Sequence, residues 1–459
     1  MTAKSIDVAA ELSEAPIGTF HRWLAVILAS VIVFDGYDTL NPSYVVHYAA
    51  HAWGLTPSQS GLLVSSGLIG FLIGSAAHGV VADKRGRRTT LLAAMWIASI
   101  FTLCTPIVGR SLLSFCLVRI ATGVGLGVLL PLATTYMNEF APRRYANTLP
   151  IWGVAFGWAM GAALASLAGV LLTPKYGWQS LYYVGSISFV LLVFMHVYLP
   201  ESAKFLAEEG RVAEVKQLLN KIRPGRSPIY AEATSIETVP TTKRGTVSLL
   251  FSDRYRRKTL TIWVAAFASL FCVYALSGWL PSVMLRRGES FTASFGFGAM
   301  MQIASFAGAL LGGYLIDRTG AARSWMALFW ILGGLAILPL AFANTHLLNI
   351  LSVIAAGFGI PGAQFLLNNY TARSYETAIR ASAVGMELAV GRFGAILGPY
   401  ISGVLQQIYG KPSAMFVVVS AAACLAGVAM LTLRERDHES PDMQSDKVFI
   451  ASRSRSLAT

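Results

Sequence analysis

A chain of 459 residues that is 55% hydrophobic, only 13% charged and of mean hydropathy +0.58 is not a soluble globular domain, since such domains carry about 25% charged side chains. Its net charge of +13 would suit nucleic acid, but the cations lie in loops between apolar runs, which excludes that partner in favour of a lipid bilayer. The four cysteines, Cys104, Cys116, Cys272 and Cys424, fall inside apolar runs with no disulfide or metal-ligand spacing, so neither metal nor cofactor is expected.

Residues 1–22 are polar, lack the basic-then-apolar order of a cleavable signal, and read as a cytoplasmic tail. Apolar runs suited to bilayer-spanning helices follow near 23–46, 60–82, 89–108, 111–138, 147–172 and 178–199. Residues 201–258 are rich in Lys, Arg, Glu and Pro and read as a cytoplasmic linker with an amphipathic helix over 203–222. Six further runs lie near 259–285, 291–316, 324–343, 347–372, 382–406 and 412–433, and 434–459 is a polar tail expected to be disordered. The prediction is an all-α membrane protein with twelve transmembrane helices in two six-helix halves, 23–200 and 259–433. Arg110, Lys175, Arg286, Arg287 and Lys411 are the cations of one set of alternate loops; Arg119 and Arg392 lie within apolar runs. All other lysines and arginines fall on the opposite side, which the positive-inside rule makes cytoplasmic, together with both termini.

The first run carries Asp35 and Asp38, three residues apart and therefore on one helical face. A charge at that depth costs about 2.5–3.5 kcal/mol on insertion scales, so this face must turn into protein or a water-filled cavity. The pair is expected to bind and release protons as a coupled unit. Gly36 permits close helix approach, and Pro42, which has no N–H, frees a carbonyl towards the interior.

Arg119 and Arg392 are the intramembrane cations. A guanidinium keeps its charge when buried and grips a carboxylate bidentately. One of the two is open to an anionic substrate and the other to pairing with an acid, with static counter-ions of the acids as the other reading. Glu387 is read as a second proton site, as a partner of Arg119, or as an end residue that snorkels to water. Gln364 and Asn368, one turn apart in the tenth run, are candidate substrate contacts with Tyr274 and Trp279; Ser277, Gln302, Trp152 and Phe156 are weaker ones. His47 and His51 are also one turn apart, but with no nearby acid they read as a loop end and not as a metal site. Neither a nucleophile–base pair nor a phosphate loop is visible, so an enzyme is not expected.

The halves repeat. Gly79, Asp83 and Gly86 recur at one constant offset as Gly313, Asp317 and Gly320, with Arg87 beside the first set and Arg318 within the second. Glu139 and Arg143 are matched by Glu376 and Arg380. Two repeated halves are the plan of a transporter that rocks about a central site. The doubled glycine–aspartate–basic loop resembles the signature of the major facilitator superfamily, over the whole membrane region. Asp35-Gly36-Tyr37-Asp38, Arg119 with Gly123, Gly125 and Gly127, Pro200-Glu201-Ser202, and residues 362–364, 379–381 and 391–399 resemble its aromatic acid:proton symporters more closely. Glu387 is an acid beyond that pattern. The resemblance implies a monomer in a bacterial inner membrane that imports a benzoate-, 4-hydroxybenzoate-, protocatechuate- or gallate-like acid with protons. A muconate, dicarboxylate or nicotinate importer is the alternative, and a drug or product exporter a weaker one. It also implies functional roles for both buried arginines, Arg392 for the substrate and Arg119 for proton coupling, and a cytoplasmic gate of charge latches built from Gly79, Asp83, Arg87, Glu139, Arg143, Asp317, Arg318 and Arg380.

Overall fold

The computed structural model describes residues 5–142, 153, 156–233, 235–237 and 247–433; Arg143, Trp152 and the polar tail 434–459 lie outside the described residues. Among the described residues twelve helices are long and apolar enough to cross a membrane. They are α1 (Thr19–Trp53), α2 (Pro57–Arg85), α3 (Arg87–Val108), α4 (Leu112–Phe140), α5 (Gly157–Tyr176) and α6 (Gln179–Tyr198), then α7 (Arg256–Arg286), α8 (Phe291–Thr319), α9 (Ala322–Ala341), α10 (His346–Ser374), α11 (Thr377–Tyr409) and α12 (Ser413–Leu431). Several helix ends are written locally. Thr56 caps α2, Gln59 returns the bond to the Thr56 N–H, and Pro57 takes the first position, where its missing N–H is no loss. Ser111 and Ser114 cap α4 in the same way. Gly54 ends α1 in the left-handed region, at φ 59°.

The chain forms two compact units, Met1–Pro240 with Ser277–Ala299, and Thr241–Leu276 with Met300–Thr459. In the first, α1 lies against α5 and α2 against α4. A Cβ on Gly36 would come within 2.6 Å of the Trp158 carbonyl, so α1 approaches α5 backbone to backbone at the very residue between the two aspartates. On α5, Gly157 and Gly161 face Ala29 and Val33 of α1, so these two glycines form a packing seam between the helices. The α7–α8 hairpin joins this unit: Ser166 Oγ donates to the Phe295 carbonyl at 2.6 Å, and Phe295 packs on Tyr44 with ring centroids 5.2 Å apart.

One small sheet interrupts the helical picture. Strand β1 (Ser5–Asp7) pairs in parallel with β2 (Ser235–Glu237), with Ile6 opposite Ile236. Three-residue strands so far apart in the chain leave no periodic signal in the sequence. The short helix Val8–Ser13 follows β1 and sends Val8 and Leu12 into the cluster that buries Val215, Leu218, Leu219 and Ile222. The amphipathic linker helix is real but divided, Ala203–Glu208 and Val212–Ile222, because Gly210 turns between them at φ 70°. Glu11 ties the arrangement together. Its carboxylate meets Arg223 at 2.9 Å and Arg226 at 2.8 Å, and Tyr230 Oη donates to it at 2.7 Å. Burial, with the Glu11 carboxylate beside it, pushes the Tyr230 phenol above its ordinary range. In the second unit α9 lies against α10 and α12, and Trp330 Nε1 donates to Ser269 at 3.0 Å.

Candidate functional site

Asp38 and Arg119 form a fully buried ion pair in the first unit. Arg119 Nη1 lies 2.6 Å from Asp38 Oδ2, with the two side chains 1% and 0% exposed. The second guanidinium nitrogen donates to the backbone carbonyl of Asp38 at 3.0 Å. That carbonyl is open for a reason in the sequence. Its helical donor would be the N–H four residues on, and that residue is Pro42. A proline inside α1 thus creates the second half of the arginine's grip. Thr102 of α3 donates to the other Asp38 oxygen at 2.9 Å, and the Tyr182 ring lies 5.5 Å from the guanidinium. Three helices, α1, α3 and α4, therefore meet at one carboxylate. Asp35 is buried one turn earlier on the same helix, and Tyr37 between them donates to the Leu181 carbonyl at 2.8 Å. Thr102 and Tyr182 had no signal in the sequence, each being one of several uncharged polar residues in its run.

In the second unit Arg392 Nη1 donates to Tyr274 Oη at 3.0 Å, joining α11 to α7. Glu387, also on α11, is 0% exposed, so the snorkelling alternative fails. Its Oε1 receives the Gln364 amide at 3.5 Å, and Asn368, turned so that its amide nitrogen donates, reaches the same oxygen at 3.1 Å. Gln364 and Asn368 are 2.8 Å apart on one face of α10. Among the described residues no cation stands within ion-pair distance of Glu387. Trp279 belongs to the first unit, where Arg286 lies 5.7 Å over its ring. Gln302 and Ser277 are buried, and Phe156 is exposed.

The repeated loops close differently in the two halves. In the first, Arg87 is buried against the Phe205 ring and reaches both Asp83 at 3.5 Å and Glu139 at 3.3 Å. Ser202 donates to Glu139, and Glu201 accepts the backbone N–H groups of Arg87, Arg88 and Ser202 at 2.8–3.0 Å. Glu201 and Ser202 thus belong to this cluster, although sequence reasoning placed them only by resemblance. Gly86, at φ 92°, leaves room for the Glu201 carboxylate, whereas a Cβ on Gly79 would meet nothing within 4 Å. In the second half Asp317 meets Arg373 at 4.0 Å, with both side chains exposed. Arg318 lies over Tyr314, Arg380 donates to the Tyr375 carbonyl at 3.4 Å, and Glu376 pairs with Arg254 at 2.9 Å in place of Arg380.

Comparisons with known proteins follow the same lines. The sequence profile of the Major Facilitator Superfamily matches residues 26–386 and again 295–455. The 4-hydroxybenzoate transporter PcaK of Acinetobacter baylyi is 32% identical, over 92% of this chain and 93% of its own. The gallate transporter of Pseudomonas putida is 34% identical, over 93% of this chain and 94% of its own. Among solved structures, the partially occluded inward open xylose transporter XylE from E. coli aligns with a TM-score of 0.72 at 16% identity, over 92% of this chain and 100% of that one, a likeness of fold.

Proposed function

As a member of the Major Facilitator Superfamily this chain is a multi-pass membrane transporter, and we propose that it imports a small aromatic carboxylate together with protons across a bacterial inner membrane. Both termini lie in the cytoplasm on this reading, in keeping with the side on which most cations fall. The observation that carries the reading is the buried Asp38–Arg119 pair within the N-terminal helices. A proton on Asp38 removes the charge that holds Arg119 and loosens α1 from α4. Loss of the proton restores the pair. The carboxyl therefore acts as a proton-dependent fastener between helices that must shift during alternating access.

Arg392 with Tyr274 offers a cation and a hydroxyl to one carboxylate, which suits a benzoate-like anion. Gln364 and Asn368 supply amides for a ring hydroxyl, and beside them Glu387 serves as a second proton site. The energetics support coupling. An inside-negative potential opposes a bare anion by about 2.3 kcal/mol per 100 mV, and more than one proton per anion reverses that sign.

Uptake of labelled 4-hydroxybenzoate, protocatechuate, gallate and benzoate into proteoliposomes with an imposed inward proton gradient tests this. Gradient-dependent uptake of at least one acid is expected, and its loss in Asp38→Asn. Uptake that ignores the gradient, or that survives the substitution, removes the proton role of Asp38. No uptake of any of the four from a folded sample removes the aromatic assignment in favour of a muconate- or nicotinate-like acid.

A further inference from the structure

A cavity of about 570 Å³ opens in the first unit where α1, α3 and α6 meet the linker helix Val212–Ile222. One wall is apolar and aromatic. Trp23 and Tyr198 stack there, ring centroids 6.2 Å apart and planes 12° apart, yet they are 56% and 59% exposed. They continue an exposed apolar face of α6, Val193, Phe194 and Val197, which in a membrane protein looks onto acyl chains. The other wall is cationic. Arg88 donates to the carbonyls of Leu199 and His196, both at 2.7 Å. Among the described residues no carboxylate lies within ion-pair distance of Arg88 or of Lys221, which comes from the last turn of the linker helix. Arg211 in the same wall is neutralised by Glu214 at 2.6 Å. Glu201 is turned onto backbone N–H groups, and even counting its charge the wall keeps an excess of positive charge.

An inorganic anion, having no apolar part, would gain nothing from exposed stacked rings. Tryptophan and tyrosine at a membrane–water boundary sit at headgroup level, and juxtamembrane cations attract anionic lipid. The cavity matches a ligand with phosphate at one end and hydrocarbon at the other. We propose that it binds an anionic phospholipid, the phosphate on Arg88 and Lys221 and the first acyl segments along Trp23 and Tyr198. The bound lipid then ties α1, α3 and α6 to the linker helix.

The test uses the full chain in detergent, titrated with phosphatidylglycerol, phosphatidylcholine or inorganic phosphate, with bound molecules counted by native mass spectrometry. Wild type is expected to retain phosphatidylglycerol in preference to phosphatidylcholine. That preference should fall about fivefold in Lys221→Gln and about fivefold again when Arg88→Gln is added. Trp23→Ala with Tyr198→Ala should lower retention of both lipids, and Lys411→Gln, in the α11–α12 loop, should leave the preference unchanged. Arg88 also ties backbone carbonyls, so the deciding variant is Lys221→Gln, whose side chain is exposed. An unchanged preference in Lys221→Gln, or an equal loss in Lys411→Gln, overturns the site. Displacement of the lipid by inorganic phosphate overturns it too, since the cavity would then be a soluble-anion site.

Discussion

Pro42 and Arg119 act on the same carbonyl from opposite directions, one by withholding a hydrogen and the other by supplying one. In Pro42→Ala the helix would donate to the Asp38 carbonyl itself, in competition with Arg119 Nη2. We expect α1 to gain about 1 kcal/mol of helical stability while gradient-driven uptake slows. Thermal unfolding and uptake measured on the same preparation check this; a more stable protein that transports at the wild-type rate would remove the link between the proline and the arginine. The acids, arginines and proline of this site were legible one by one in the sequence, because a charge or a helix breaker inside an apolar run is costly and stands out. Their pairing was not. Nothing in the spacing says that Arg119 takes Asp38, or that Thr102 completes the carboxylate, since those contacts join residues 64 and 81 positions apart.

At the scale of elements, the repeated loops are alike in sequence and unlike in strength. Arg87 is buried between Asp83 and Glu139, while Asp317 and Arg373 face one another in the open at 4.0 Å. Breaking a buried ion pair by removing one partner costs about 3–5 kcal/mol, whereas an exposed pair contributes about 0–1 kcal/mol. Arg87→Ala should therefore lower the unfolding midpoint strongly and Asp317→Asn hardly at all, as read by thermal denaturation in detergent. Equal effects would mean that burial does not distinguish the two loops. Repetition reveals that a motif is present twice, but how deeply each copy is buried depends on what packs over it. Here Phe205 and the Pro200-Glu201-Ser202 turn cover the first copy.

Over the whole molecule, the N-terminal tail is part of the first unit through β1, β2 and the Glu11 cluster. Glu11→Ala leaves Arg223, Arg226 and Tyr230 without their shared carboxylate. Hydrogen exchange over residues 5–13 and 223–237 should rise, while uptake, which uses none of these side chains, should stay at the wild-type level. Unchanged exchange would show that the apolar contacts of Val8 and Leu12 hold the tail alone. The amino-acid sequence by itself determined the membrane class, the twelve spans found among the described residues, the repeat and the buried charges, because hydropathy, helix length and the cost of a charge in lipid act locally along the chain. Tertiary structure alone decided which carboxylate meets which arginine, which copy of the loop is sealed, and where the tail docks. Those outcomes depend on backbone approach at positions such as Gly36, and on contacts between segments that have no common periodicity.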